Sequence, residues 1–309
     1  WEHVVALGAK EAGLVWTEVA DLAENTTYYY RLFASNSFGG RWTSTSVRFT
    51  TAFETPGIKR NGLVLWLRAD AGVQHSNGWV YAWADQATDV GGANDAAAVG
   101  NSRPLFVPEG IDGRAAIRFD GTDDFLAVPD HDALDLGTGA GKGWTVLTVY
   151  LREKSGTQCI VSKGTAGSDT TDWRFFSDDA GVIWGSGPAS DTNAWFRVAE
   201  PPANQPHLLA ATLTQTGETE GTKVFYVNGQ PHPSDPYAAK ASANDHPMVI
   251  GGFAASSGNL GGLVAEVLVF NRVLNEDDLN NAGWYLQQKY DINGAFEYRA
   301  PRGTLLQVR

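Results

Sequence analysis

The stretch Gly261 to Tyr290, GGLVAEVLVFNRVLNEDDLNNAGWYLQQKY, constrains the fold of this chain more than any other. GGLVAEVLVFNR is almost entirely apolar and lies between glycines and a polar corner. That pattern predicts a central strand buried on both faces rather than a half-exposed one. Glu266 is its single internal charge. Strict alternation puts Glu266 on one face with Val264, Leu268 and Phe270. A carboxylate held there needs a cation, an arginine or a metal, to offset its lost hydration.

After Arg272 the apolar period changes from two to about 3.6, which predicts a helix. Asn275 is a good N-cap, and Glu276, Asp277 and Asp278 place negative charge against the helix dipole. Leu274 and Leu279 have the spacing of a hydrophobic staple. Leu279, Ala282 or Gly283, Leu286 and Tyr290 form one apolar stripe, and the segment from Asp291 to Gly294 ends the helix.

Elsewhere helical periods are scarce. Thirty-five glycines and eleven tryptophans in 309 residues indicate turns and strands, hence a mainly β protein. A hydrophobic fraction of 43% can supply its core. Asn228-Gly229, between VFYV and QPH, is a type I′ hairpin signal, and Asp120-Gly121-Thr122-Asp123 is a tight turn between two strands. The formal net charge of −12 opposes phosphate backbones and anionic bilayers, which argues against a nucleic-acid partner. No apolar run has the length of a membrane span, and no signal peptide is expected within the sequence. Cys159, the single cysteine, excludes an internal disulfide and reads as a small buried strand residue rather than a reactive thiol.

The buried strand, the corner FNRVLNEDD and the short helix resemble the end of a laminin-G-like, or concanavalin A-like, jelly-roll domain of bacterial extracellular proteins. The resemblance extends upstream through NGLVLWLRADAGV at Asn61 to Val73, WADQ at Trp83 to Gln86, NDAA at Asn94 to Ala97, RPLFV at Arg103 to Val107 and AAIRFDGTDDFLAV at Ala115 to Val128. IVSKG at Ile160 to Gly164, HLLAATL at His207 to Leu213, VFYVNGQ at Val224 to Gln230 and MVIGG at Met248 to Gly252 continue it in order. It implies an all-β, two-sheet antiparallel sandwich over residues 61–292, closed by a short C-terminal helix. Before it, Leu22, Thr26, Tyr28, Arg31, Leu32, Ala34, Asn36 and Gly39 resemble the second half of a fibronectin type III domain, with Tyr28 as its corner tyrosine. Residues 1–52 are therefore expected to be a partial immunoglobulin-like domain, the remnant of a longer protein, and 53–60, around Pro56-Gly57, a linker. Residues 293–309 are expected to be an extension. Asn25-Thr26-Thr27 fits a glycosylation sequon.

Three kinds of site are candidates. The laminin-G resemblance implies a structural calcium ion that ties an early loop to the last buried strand, with Asp85, Asp95 and Glu266 as ligands and Asp89 and Asp120 as weaker ones. Calcium takes six to eight oxygens, and the loop ATDVGGAND could turn carbonyls inward. The alternative is that Asp85 and Asp95 cap turns while Glu266 pairs with Arg118 or another arginine. The second candidate is a sugar surface. Trp173, Trp184 and Trp195 lie in or beside the glycine-rich loops Gly164 to Asp172 and Gly185 to Asn193, and Trp79 and Trp83 could act likewise. Aromatic rings stack on pyranose faces while Asp, Asn and Arg bond the hydroxyls, although large aromatics in sandwiches are commonly core residues.

The third candidate is catalysis. Hydrolysis needs two carboxylates about 5 to 10 Å apart, and no strand has the form Glu-x-Asp-x-Glu. The acidic pairs Asp123-Asp124, Asp178-Asp179 and Asp277-Asp278 are sequence neighbours, and His131, His232 and His246 stand in turns. The expected function is accordingly a non-catalytic recognition or adhesion module of a secreted or surface-displayed protein, with a glycan or a neighbouring surface-protein module as partner and no insertion into a membrane. A purely structural spacer is the alternative, and a polysaccharide-degrading enzyme is a more distant one.

Overall fold

The computed structural model describes residues 4–11, 15–19, 27–50, 58–87, 94–135, 141–164, 173–186, 195–199, 201–217, 220–233, 237–238, 245–252, 258–299 and 305–308. The chain forms two compact units, Trp1–Pro56 with Arg299–Arg309, and Gly57–Tyr298. In the first, β1 (Val15–Glu18), β2 (Thr27–Tyr30), β3 (Phe33–Asn36), β4 (Gly39–Trp42) and β5 (Val47–Thr50) form short antiparallel pairs, β2 with β5 and β3 with β4. Strand β1 pairs with Leu305–Val308. Part of the expected extension therefore returns to the N-terminal unit. Leu22, Asn25 and Thr26 lie outside the described residues, as do residues 53–57 of the expected linker. Ile58 is buried in the second unit.

The second unit contains β6 (Leu63–Arg68), β7 (Val73–Ser76), β8 (Trp79–Trp83), β9 (Ala96–Ala98), β10 (Leu105–Ile111), β11 (Arg114–Asp120), β12 (Leu126–Val128), β13 (Gly143–Arg152) and β14 (Gln158–Lys163). It continues with β15 (Trp173–Asp178), β16 (Gly181–Ser186), β17 (Trp195–Val198), β18 (Pro206–Gln215), β19 (Glu220–Val227), β20 (Gln230–Pro233), β21 (Tyr237–Ala238), β22 (Met248–Ile250), β23 (Gly261–Phe270) and the helix α1 (Glu276–Lys289).

The pairings resolve into two antiparallel layers of a jelly-roll sandwich. One layer runs β20, β19, β18, β13, β23, and the far edge of β23 is shared by β6 along Glu266–Phe270 and by β11 along Gly261–Val264. The other runs β7, β8, β9, β12, β22, β14, β15, β16, β17. A single pairing, Leu105 with Trp79, joins the layers into one near-closed ladder of 18 strands.

All ten residues of β23 are buried, as its composition requires. The strands beside it, GWTVLTVYLR and PHLLAATLTQ, are apolar on both faces because each face meets a separate core. Val146, Tyr150, Leu209 and Ala211 point between the layers, whereas Leu147, Val149, Leu208 and Ala210 point outward beneath α1. The helix starts as its sequence predicts. Asn275 accepts from the Asp278 amide at 2.8 Å, and Leu274, Leu279, Ala282, Leu286 and Tyr290 are buried in the outer core.

The register corrects one expectation. Val149 pairs with Glu266 but Tyr150 pairs with Val264, so Ala265 is the extra residue of a β-bulge. Glu266 therefore faces α1 with Leu268 and Phe270, while Val264 joins the inner core. Three two-residue hairpins share positive φ at both positions: Asn228-Gly229 (49° and 79°), Asn77-Gly78 (51° and 87°) and Asp112-Gly113 (45° and 67°). These are the angles a type I′ turn demands. The Asp120–Asp123 turn does join two strands, but β11 and β12 belong to different layers, so it is a corner.

The outer core extends past 292. Phe296 is buried against Gly283, and Gln287 holds its main chain, donating to the Phe296 carbonyl at 3.0 Å and accepting its amide at 3.1 Å. Gly283 permits this approach, since a Cβ there would lie 2.1 Å from the Phe296 ring. Helix propensity alone favours Gly283→Ala by about 1 kcal/mol. The displaced ring should reverse that sign and give a net loss of about 1–3 kcal/mol, read as a lower denaturant midpoint with an unchanged m-value.

Candidate functional site

Glu266 is fully buried and accepts three hydrogen bonds: from the Trp66 indole at 2.6 Å, the Lys289 ammonium at 2.6 Å and the Tyr290 hydroxyl at 2.8 Å. Its cation is thus a lysine from the last turn of α1 rather than an arginine. Arg118 pairs instead with Glu153 at 3.0 Å. Lys289 also reaches Asp70 at 3.1 Å, and Arg68 grips Asp70 through two bonds of 2.7 and 2.9 Å. Burial pushes the Asp70 carboxyl up, but the Arg68 bond and the Lys289 charge outweigh it and hold it at about 2. Burial and then the Glu266 charge drive the Tyr290 phenol well above its ordinary value, so it stays a donor.

Asp85 does communicate with Glu266, through a tryptophan. Its Oδ1 accepts the Trp66 amide at 2.8 Å and the Ala87 amide at 2.9 Å, while the other end of Trp66 holds Glu266. Asp95 in turn accepts the Asp85 amide at 2.8 Å. The three carboxylates expected to share calcium are therefore engaged by protein donors, with an ammonium already against the innermost. They do not fit a common calcium cage. Asp89 lies outside the described residues.

Asp120, Asp123 and Asp124 bring carboxylate oxygens within 4.8 Å of one another. Asp120 caps its own turn, accepting the Thr122 amide at 2.7 Å, and Asp124 accepts the Asp120 amide at 3.0 Å. Burial, then repulsion from Asp120, raises the Asp124 carboxyl to about 6.

The tryptophans divide by environment. Trp173 is fully buried in the inner core, its ring edge-on to Phe175 at 6.5 Å, which removes it from any sugar surface. Trp83 is also buried, and its indole donates to the Arg68 carbonyl at 2.9 Å. The main chains of Trp184 and Trp195 lie on β16 and β17, while their side chains and most of both glycine-rich loops fall outside the described residues. Trp79 is 53% exposed, on an outer face with Tyr81 at 47%.

A concave feature lies elsewhere, along the C-terminal half of α1 and the strand-less segment after it. It is an open groove of about 620 Å³. Trp284 and Tyr298 line it with ring centroids 5.0 Å apart and planes tilted by 48°. Gln288, Asp291, Asn293 and Glu297 supply exposed amides and carboxylates. Gln287, by holding both main-chain groups of Phe296, fixes the far wall. A flat apolar surface ringed by hydroxyl-bonding groups is suited to a polyhydroxylated ring. The sequence signal was present in GWYLQQKYDINGAFEY, but helical periodicity assigns Trp284 to a helix flank and leaves Tyr298 in a patternless tail.

Two measurements probe these sites. Lys289→Met leaves a buried carboxylate without its cation and should cost about 3–5 kcal/mol in chemical denaturation, and adding Glu266→Leu should restore much of that. For Asp124 the folded carboxyl binds its proton more tightly than the unfolded one, so stability from this group falls as pH rises from about 4 to about 6. Asp124→Asn should accordingly raise stability at pH 7.5 by on the order of 1–2 kcal/mol, read as a higher melting temperature, and change it little at pH 4.

Residues 120–280, just over half the chain, match the family model described as the Concanavalin A-like lectin/glucanases superfamily. No curated protein sequence matches. Similar solved structures include Trypanosoma rangeli sialidase in complex with the inhibitor DANA, with a TM-score of 0.51 and 19% identity over 75% of this chain and 34% of that one. The same sialidase in complex with 2,3-difluoro-KDN gives a TM-score of 0.50 and 20% identity over 74% of this chain and 33% of that one. The chain spans about a third of the sialidase's length, and at this identity the likeness is one of fold. With its two antiparallel layers, its buried β23 and the match across residues 120–280, the chain belongs to the concanavalin A-like lectin/glucanase superfamily.

Proposed function

We propose that this chain is a non-catalytic carbohydrate-recognition module of a secreted or surface-displayed protein, and that the groove beside α1 holds the sugar. The observation that carries the reading is the Trp284–Tyr298 pair set within a rim of Gln288, Asp291, Asn293 and Glu297. Stacking on the rings would bury the apolar face of a pyranose, and the rim would bond its hydroxyls. Asp291 and Glu297 are both exposed, and a catalytic acid depends on burial to stay protonated, so this pair suits binding better than hydrolysis. The superfamily contains both lectins and glucanases, and the fold by itself does not choose between them.

The test is an array of oligosaccharides followed by calorimetry on the hits. Trp284→Ala and Tyr298→Ala should each weaken binding about tenfold, roughly 1.4 kcal/mol, with the far-UV spectrum unchanged. Silence across the array, or binding indifferent to both substitutions, would defeat the assignment and favour a structural spacer. Release of new reducing ends from the bound sugars would make the module an enzyme.

A further inference from the structure

We propose that the corner between β11 and β12 binds one calcium ion, held by the carboxylates of Asp120, Asp123 and Asp124 and by the side-chain carbonyl of Asn259. The three aspartates bring oxygens within 4.8 Å of one another. Oxygens around a single calcium ion lie about 2.3–2.6 Å from it, hence within roughly 5 Å of one another, so the cluster has the dimensions of one shell. It offers oxygen alone, without the sulfur or imidazole that would favour a softer metal. Asn259 is what separates this cluster from an ordinary acidic turn. It is 8% exposed and lies just before β23. Its amide nitrogen donates to the Thr122 carbonyl at 2.9 Å, which holds the side chain against the turn between Asp120 and Asp124. Its Oδ1 is buried and accepts no hydrogen bond. The reverse amide assignment would set oxygen against the Thr122 carbonyl, so the atom left over is the acceptor. Gly252 leaves room beside it, since a Cβ there would lie 2.7 Å from Oδ1. A buried acceptor without a donor carries its full loss of hydration, and a cation would supply what is missing.

The charges at the corner agree. Among the described residues no lysine or arginine forms an ion pair with any of the three carboxylates. Lys154, the basic side chain at this turn, donates instead to the main-chain carbonyl of Asp120. Asp124 is buried all the same, and a buried carboxylate needs a counter-charge. The turn is also ordered in advance. Asp120 Oδ1 accepts the Thr122 amide at 2.7 Å and the Asp123 amide at 3.2 Å, and Asp124 Oδ2 accepts the Asp120 amide at 3.0 Å, which leaves each carboxylate a second oxygen. Because β11 and β12 belong to different layers and Asn259 leads into β23, an ion here would clamp the corner to the entry of the most buried strand. Its effect is therefore expected in stability.

The experiment titrates calcium chloride into the whole chain after treatment with EDTA, by calorimetry, and follows the melting temperature in parallel. The expected result is one ion per chain with a Kd on the order of 10⁻³ M or tighter, and a melting temperature that rises with calcium and falls back on chelation. Magnesium, which dehydrates reluctantly and demands a stricter octahedron, should bind at least about tenfold more weakly. Asp123→Asn alters an exposed side chain and should leave the chelated protein as stable as before while weakening calcium about tenfold or more. Asn259→Ala should weaken it likewise, and comparing its melting temperature with and without calcium separates a lost ion response from a weakened fold. Asp124→Asn stabilises the chelated protein by relieving repulsion and should lose the calcium response by removing a ligand. Neither heat nor a melting shift at about 10 mM calcium, well above the range of extracellular modules, overturns the site. Binding that survives Asp123→Asn or Asn259→Ala unchanged overturns it as well.

Discussion

The Glu266 carboxylate holds the second unit in its present form. A charge at the centre of the most buried strand can be kept only if donors reach it, and the three that do come from Trp66 on β6 and from Lys289 and Tyr290 at the end of α1. The bond therefore fixes both the lateral pairing of β6 with β23 and the docking of the helix on the sheet. It is also intolerant of error, since a buried ion that loses its partner costs more than the pair contributes. The bulge at Ala265 belongs to the same arrangement, because in a strand of unbroken alternation Glu266 would share the face on which Val264 meets the opposite layer.

The helix is what gives one sheet two hydrophobic faces. The inner face closes against the second layer through Val146, Tyr150, Ile160 and Phe175, in the manner of any sandwich. Water is kept from the outer face by Leu279, Leu286, Tyr290 and Phe296. The groove follows from this second covering. Once Gly283 admits Phe296 and Gln287 ties down its main chain, the segment to Tyr298 runs close enough to α1 for Tyr298 to meet Trp284. A structural device for capping the sheet thus also builds the surface proposed to bind sugar.

Local signals were the legible part of the sequence. Asn275, the acidic turn after it and the stripe from Leu279 to Tyr290 state a helix in terms of its own neighbours, and the structure agrees. Asn228-Gly229 states a hairpin, and Asn77-Gly78 and Asp112-Gly113 carry the same dipeptide signal. The site was less legible because its partners are remote. Asp85 does lie in one network with Glu266, but the link is Trp66, some 200 residues from Glu266 in sequence. Trp173 lies among candidate binding loops in sequence, yet its strand turns it into the inner core.

What the sequence by itself determined was the inventory of elements: strands from alternation and apolar runs, one capped helix, turns where Asn or Asp precedes Gly, and a buried strand with one charge to neutralise. Those properties depend on residues within a turn or two of one another. Tertiary structure alone decided which cation answers Glu266, which face the bulge gives it, which aromatics are core and which line a groove. Each of these is set by where strands distant in sequence come to lie, and a one-residue shift in register exchanges the two faces of a strand.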